Sequence, residues 1–87
     1  MFWNLYSMDN FNKISNDDID YIYKLYQDKQ FLDLEEITYS LTIRFPNDYF
    51  PWMMLGAALK SQGKFEKAEI AAKKAVTLDP LNSDANG

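Results

Sequence analysis

Asp17, Asp18 and Asp20, and then Asp33, Glu35 and Glu36, are tight groups of acidic side chains. Carboxylates grouped in this way can hold a hard cation or exchange protons. Neither group has the form those tasks need. A calcium loop spaces its acids around a central Gly, and none stands among these residues. Both groups instead suit the first turn of a helix, where negative charge meets the positive end of the helix dipole. The chain contains no His and no Cys. It therefore cannot build a Ser–His–Asp or Cys–His nucleophile, a disulfide, or a Cys-ligated zinc or iron–sulfur site. Lys60, Lys64, Lys67, Lys73 and Lys74 are interleaved with acids and fall mostly on separate turns, the pattern of a solvated face. With 13 acids against 9 bases the net charge is -4, which argues against a binder of nucleic-acid phosphates. No catalytic residue, cofactor or metal site is expected.

The function must then lie in shape and apolar surface. The 87 residues allow one small domain, with 47% hydrophobic and 16% aromatic residues to fill it. Three Gly and three Pro are too few for a turn-rich β protein. No apolar run approaches the ~20 residues of a membrane span. The start, Met1 to Asp9, lacks the basic region and clean apolar stretch of a secretory signal. These features point to a cytoplasmic protein with neither membrane nor nucleic acid among its partners.

Four helices are predicted. The first follows a cap at Ser15 or Asn16, places Ile19, Ile22, Tyr23 and Tyr26 at helical spacing, and ends near Lys29. The second runs from Phe31 to Ile43 with Leu34, Ile37 and Leu41 on one face, and Pro46 closes it. The third starts at Asn47–Asp48, tolerates Pro51 in its first turn, and runs to Ser61. The fourth runs from Lys64 or Phe65 to Leu78, carries Glu69 and Lys73 as an i,i+4 pair, and stops before Pro80. Charge divides unevenly: residues 1–50 sum to -5 and residues 51–87 to +1.

The chain also repeats itself. Pro46 and Pro80 stand 34 residues apart, as do Phe31 and Phe65, Leu25 and Leu59, and Tyr21 and Leu55. Leu34 matches Ala68 and Leu41 matches Ala75 on the same period. Residues 47–80 resemble a tetratricopeptide repeat: Trp52, Leu55 and Gly56 fit its opening, Gly63 and Phe65 its turn, Ala68 and Ala75 its second helix, and Pro80 its end. Leu59 and Ala72 stand where that family usually has aromatics. Residues 15–46 resemble a weaker copy, with Ile22 and Leu34 at positions where the family has small residues. Those two side chains should hold the first helix pair further apart than the second. The resemblance implies an all-α fold of two stacked helix–turn–helix units, with residues 1–14 as an apolar N-terminal cap and residues 81–87 as the start of a third unit or a tail. Phe2, Trp3, Leu5, Tyr6, Met8, Phe11 and Ile14 supply the apolar side of that cap.

The resemblance implies a scaffold that binds a protein or peptide in a concave groove, with no catalysis of its own. The groove candidates are Ile19, Tyr23, Tyr26 and Gln27 in the first unit and Phe50, Met53, Ala57 and Lys60 in the second. Met53 and Ala57 stand where the family's carboxylate clamp would need polar groups, and Asp20 and Met54 replace the Asn ladder of other arrays. A narrower resemblance, carried by Leu25–Phe31, Arg44–Asn47 and Trp52–Gly63, is to the repeat region ahead of the catalytic domain in some bacterial glycosyl- and sulfotransferases. The alternative function is therefore the non-catalytic repeat portion of such an enzyme. Finally, a repeat cannot bury its own outer face. The outer side of the fourth helix, with Ile70, Ala71, Ala75, Val76 and Leu78, is expected to be covered by a second copy in a homodimer that stacks or exchanges helices.

Overall fold

The computed structural model describes residues 14–79, and these form four α-helices with no strand among them. The helices are α1 (Asn16–Gln27), α2 (Phe31–Arg44), α3 (Tyr49–Ser61) and α4 (Phe65–Leu78). Residues 1–13 of the expected 1–14 cap, the closing Pro80 and the expected tail at 81–87 lie outside the described residues, while Ile14 is described and buried.

Local chemistry accounts for each boundary. At α1 the Ser15 hydroxyl accepts the Asp18 amide at 3.1 Å, and Asp17 and Asp18 occupy the first turn. At α3 the Asp48 carboxylate accepts the Phe50 amide at 3.0 Å, and Pro51 falls where a missing N–H breaks no helical bond. Neither α2 nor α4 has a side-chain cap; each begins as the tight turn before it closes. In the first turn Lys29 adopts φ 60°, and the Gln30 amide reaches back to the Leu25 carbonyl at 2.9 Å. In the second Gly63 adopts φ 80°, and the Lys64 amide reaches the Leu59 carbonyl at 2.9 Å. A left-handed residue just past a helix end, with these back-reaching bonds, satisfies carbonyls that the helix leaves open.

The two turns are thus the same turn, 34 residues apart. The correspondence continues through α2 and α4, which are both 14 residues long and begin at Phe31 and Phe65. It ends at Phe45 and Asp79, which share similar backbone angles (φ -129° and -144°, ψ 66° and 73°) and whose amides donate to the Leu41 and Ala75 carbonyls at 2.7 and 3.0 Å.

Consecutive helices pack on one another, and α3 lies between two apolar clusters. Ile14, Ile22, Leu25, Leu34, Leu41 and Phe45 meet Met54 and Ala58 on one side of α3. Leu55 and Leu59 meet Ala68 and Ala71 on the other, with Trp52 half-buried against them. The Trp52 indole N–H donates to the Pro46 carbonyl at 3.0 Å, which ties α3 to the segment before it. Thr38 and Thr42 are also buried, an unexpected polar content for the core. Each hydroxyl donates to a carbonyl of its own helix, Leu34 and Tyr39 respectively, so neither needs a partner across the interface.

The two helix pairs differ in how far their backbones run together. The backbones of α3 and α4 run close together over far more of their length than those of α1 and α2. Gly56 sits at that approach, yet its site is less tight than a strict need for Gly would imply. A Cβ there would lie 3.5 Å from the Ala68 carbonyl oxygen and 3.8 Å from the Ala71 Cβ, which is ordinary contact. Gly56→Ala should therefore be neutral or raise stability by up to about 1 kcal/mol through helix propensity. Gly56→Leu should lose roughly 1–3 kcal/mol by overpacking, both measured by urea denaturation.

The paired turns make a second test. Lys29 holds a left-handed conformation without the freedom of Gly, whereas Gly63 holds it at no steric cost. Lys29→Gly should raise stability and Gly63→Ala should lower it, each by about 1 kcal/mol. Thermal melts of the two variants should shift in opposite directions.

Candidate protein-interaction surface

On α1, Ile19, Tyr23, Tyr26 and Gln27 follow helical spacing and share one side; on α3, Phe50, Met53, Ala57 and Lys60 do the same. The structure joins these two stripes at one point. The rings of Tyr23 and Phe50 meet edge to face, with centroids 5.7 Å apart and planes at 64°. Tyr26 turns instead to Phe31 at the start of α2, at 6.0 Å and 68°. Tyr23 and Tyr26 remain 46% and 44% exposed, so packing does not consume them. Gln27 and Lys60 are exposed, while Phe50, Met53 and Ala57 are half-buried. A shallow hollow of about 340 Å³ lies beside the aromatic junction, walled by Ile14, Ile19, Tyr23, Asp48 and Phe50.

The α3 stripe leads elsewhere along the rest of its length. Met53, Ala57 and Lys60 form one wall of a groove of about 440 Å³ whose other wall is α4, with Phe65, Glu69, Ala72 and Val76. Of the eight residues drawn from the sequence, Ile19, Tyr23 and Phe50 line the hollow, Met53, Ala57 and Lys60 line the groove, and Tyr26 and Gln27 line neither. Sequence reasoning missed Phe65, Glu69 and Ala72 as lining residues. Their signal was present, since each stands 34 positions after a residue of the first helix pair that packs inward.

The expected self-association face does not hold together as one surface. Ala71 is buried in the cluster with Leu55 and Leu59 and Ala75 is buried as well, so each offers a partner little surface. Ile70, 68% exposed, opens onto a different groove of about 310 Å³, shared with Tyr39, Trp52 and Leu59. Val76, 48% exposed, opens onto the α3–α4 groove, and Leu78 is half-buried at the helix end. Six positions separate Ile70 from Val76, which places them about 120° apart around the helix.

Charge marks the edges of these surfaces. The Glu35 carboxylate accepts from the Gln62 amide at 2.7 Å and from the Lys64 ammonium at 3.1 Å, clipping α2 to the turn after α3. Glu69, its counterpart on α4, has only the neighbouring Lys73 at 3.7 Å, an exposed i,i+4 pair. The Lys74 ammonium lies 5.9 Å from the centre of the Trp52 ring. Among the described residues no three acids cluster closely enough to hold a metal ion, and no helix is long and apolar enough to cross a membrane. Asp17, Asp18 and Asp20 are spread around the start of α1.

No protein-family model, curated protein or solved structure matches this chain.

The clip at Glu35 is open to direct test. The Gln62 hydrogen bond and then the Lys64 charge hold its carboxyl below the ordinary Glu value, against partial desolvation that acts the other way. A lowered folded-state pKa means that the stabilisation is complete above the unfolded value of about 4.3 and fades as pH falls through the lowered one. At pH 7, Glu35→Gln should cost about 0.5 kcal/mol, the scale of a partly exposed ion pair. The gap to wild type should close in strong acid, as denaturant melts at the two pH values will show.

Proposed function

We propose that this chain is a non-catalytic protein-interaction module of tetratricopeptide type, which binds an extended or helical peptide along the stripe from Tyr23 through Phe50 to Met53. The observation that carries the reading is the edge-to-face contact of Tyr23 and Phe50 between α1 and α3. It makes a continuous aromatic surface from two helices that are not adjacent in the chain. Aromatic and Met side chains suit such a role, because they offer large contact areas and adapt to a partner at little entropic cost. Further support comes from the 34-residue correspondence of the turns and of α2 with α4, since stacked units of one design build extended binding surfaces. Gln27 and Lys60 supply hydrogen-bond donors beside the stripe.

A displayed peptide library selected on the intact protein tests this reading. Enriched peptides should share apolar anchors and bind at Tyr23 and Phe50. Tyr23→Ala and Phe50→Ala should each weaken them at least tenfold, the scale of an aromatic hot spot. The helical circular dichroism signal should remain unchanged. Selection that yields no such peptides, or affinities indifferent to both variants, would refute the proposal.

A further inference from the structure

The groove between α3 and α4 is the 34-residue counterpart of a surface that the protein itself already fills. Met53, Ala72 and Val76 line the groove. Their counterparts in the first helix pair are Ile19, Thr38 and Thr42. Thr38 and Thr42 are buried and Ile19 is half-buried, whereas Ala72 and Val76 are exposed. The element that covers the first surface is α3, whose Met54 and Ala58 enter the cluster with Ile22 and Leu34. Phe31 and Phe65 show the same contrast, one half-buried beside that cluster and the other 65% exposed.

The polar contacts translate as well. Glu35 takes Gln62 and Lys64 from the end of α3. Glu69 stands in the same place on the open groove, an exposed acceptor with no such donor. Side-chain volume differs in an informative way. Gly56 and Ala68 replace Ile22 and Leu34 in the groove, so its floor can admit larger side chains than Met54 and Ala58.

We propose that this groove receives an amphipathic helix of a partner protein, lying as α3 lies on α1 and α2. Its apolar stripe carries bulky residues at the places of Met54 and Ala58, and a Gln, Lys or Arg near its C-terminal end donates to Glu69. The site continues an interface already built into the molecule, and Glu69, held only by the exposed i,i+4 pair with Lys73, favours a donor from the occupant. The first helix of a second copy is a poor occupant. On α1, Asp17, Asp20, Lys24 and Asp28 stand where α3 has Pro51, Met54, Ala58 and Gln62, and all four are exposed. That stripe is charged where the groove demands apolar contact.

The two readings share Met53, but this one is tested at Glu69 and Ala72 on α4 and the other at Tyr23 and Phe50, so they fail separately. The probe is a synthetic peptide spanning residues 48–64 of this chain with Ala58→Leu, titrated into the isotope-labelled full chain and followed by amide chemical shifts. Saturable shifts at Ala57, Lys60, Glu69, Ala72 and Val76 are expected. Ala72→Lys, at an exposed helix position, should lower affinity more than tenfold with no loss of thermal stability. Glu69→Lys should lower affinity about tenfold, the scale of one charge-assisted contact.

The absence of saturable shifts, shifts confined to Tyr23 and Phe50, or affinity unchanged in both variants would overturn the proposal. So would groove shifts that depend on protein concentration without peptide, which assign the site to a second copy. Intramolecular Overhauser contacts from residues 1–13 or 80–87 into the groove would assign it to the chain itself, with the same result.

Discussion

Helix α3 has apolar contacts to make on both sides, and the rest of the molecule is arranged around that need. Met54 and Ala58 complete the cluster built by α1 and α2, while Leu55 and Leu59 start the cluster shared with α4. Neither helix pair could bury its apolar residues without this shared wall, since two helices alone leave one face of each in water. Consecutive positions on α3 serve opposite clusters, because neighbours on a helix point about 100° apart. A polar residue at Met54, Leu55, Ala58 or Leu59 would damage a core directly. The Trp52 hydrogen bond to Pro46 and the Glu35 clip to Gln62 and Lys64 then hold α3 near its two ends.

The same principle explains where the open surfaces lie. On the α1–α2 side a helix covers the counterpart of the α3–α4 groove, and the apolar positions there are large. On the α3–α4 side those positions are Gly56, Ala68, Ala72 and Ala75. Small residues allow the two backbones to approach closely, and they also leave room above them. Close packing within a pair and an open groove over it therefore arise from one set of substitutions.

The polar groups of the described residues have modest, local roles. The acids at helix starts satisfy amides or the dipole. The buried Thr hydroxyls return to their own backbone. The Glu35 clip and the Lys74–Trp52 contact link distant parts of the sequence through charge.

Much of the fold was legible from residue types alone. The caps at Ser15 and Asp48, the break at Gly63 and the helix spans follow from local chemistry, which acts over one or two turns and leaves its mark in neighbouring residues. The 34-residue period also lies in the sequence, in the paired Phe31 and Phe65, Leu25 and Leu59, and Pro46 and Pro80. The left-handed Lys29 was less visible, since its conformation is imposed by the packing of α1 on α2 and not by the residue. The candidate surfaces were only half legible. Helical phase placed Tyr23, Phe50, Met53 and Ala57 on shared sides of their helices. It could not tell that Met53 and Ala57 would face α4, that Ala71 would be buried, or that Ile70 and Val76 would open onto separate grooves. Those outcomes depend on the angle and closeness of one helix against the next. Many side chains from distant parts of the chain set that geometry together, and no single stretch of sequence carries it.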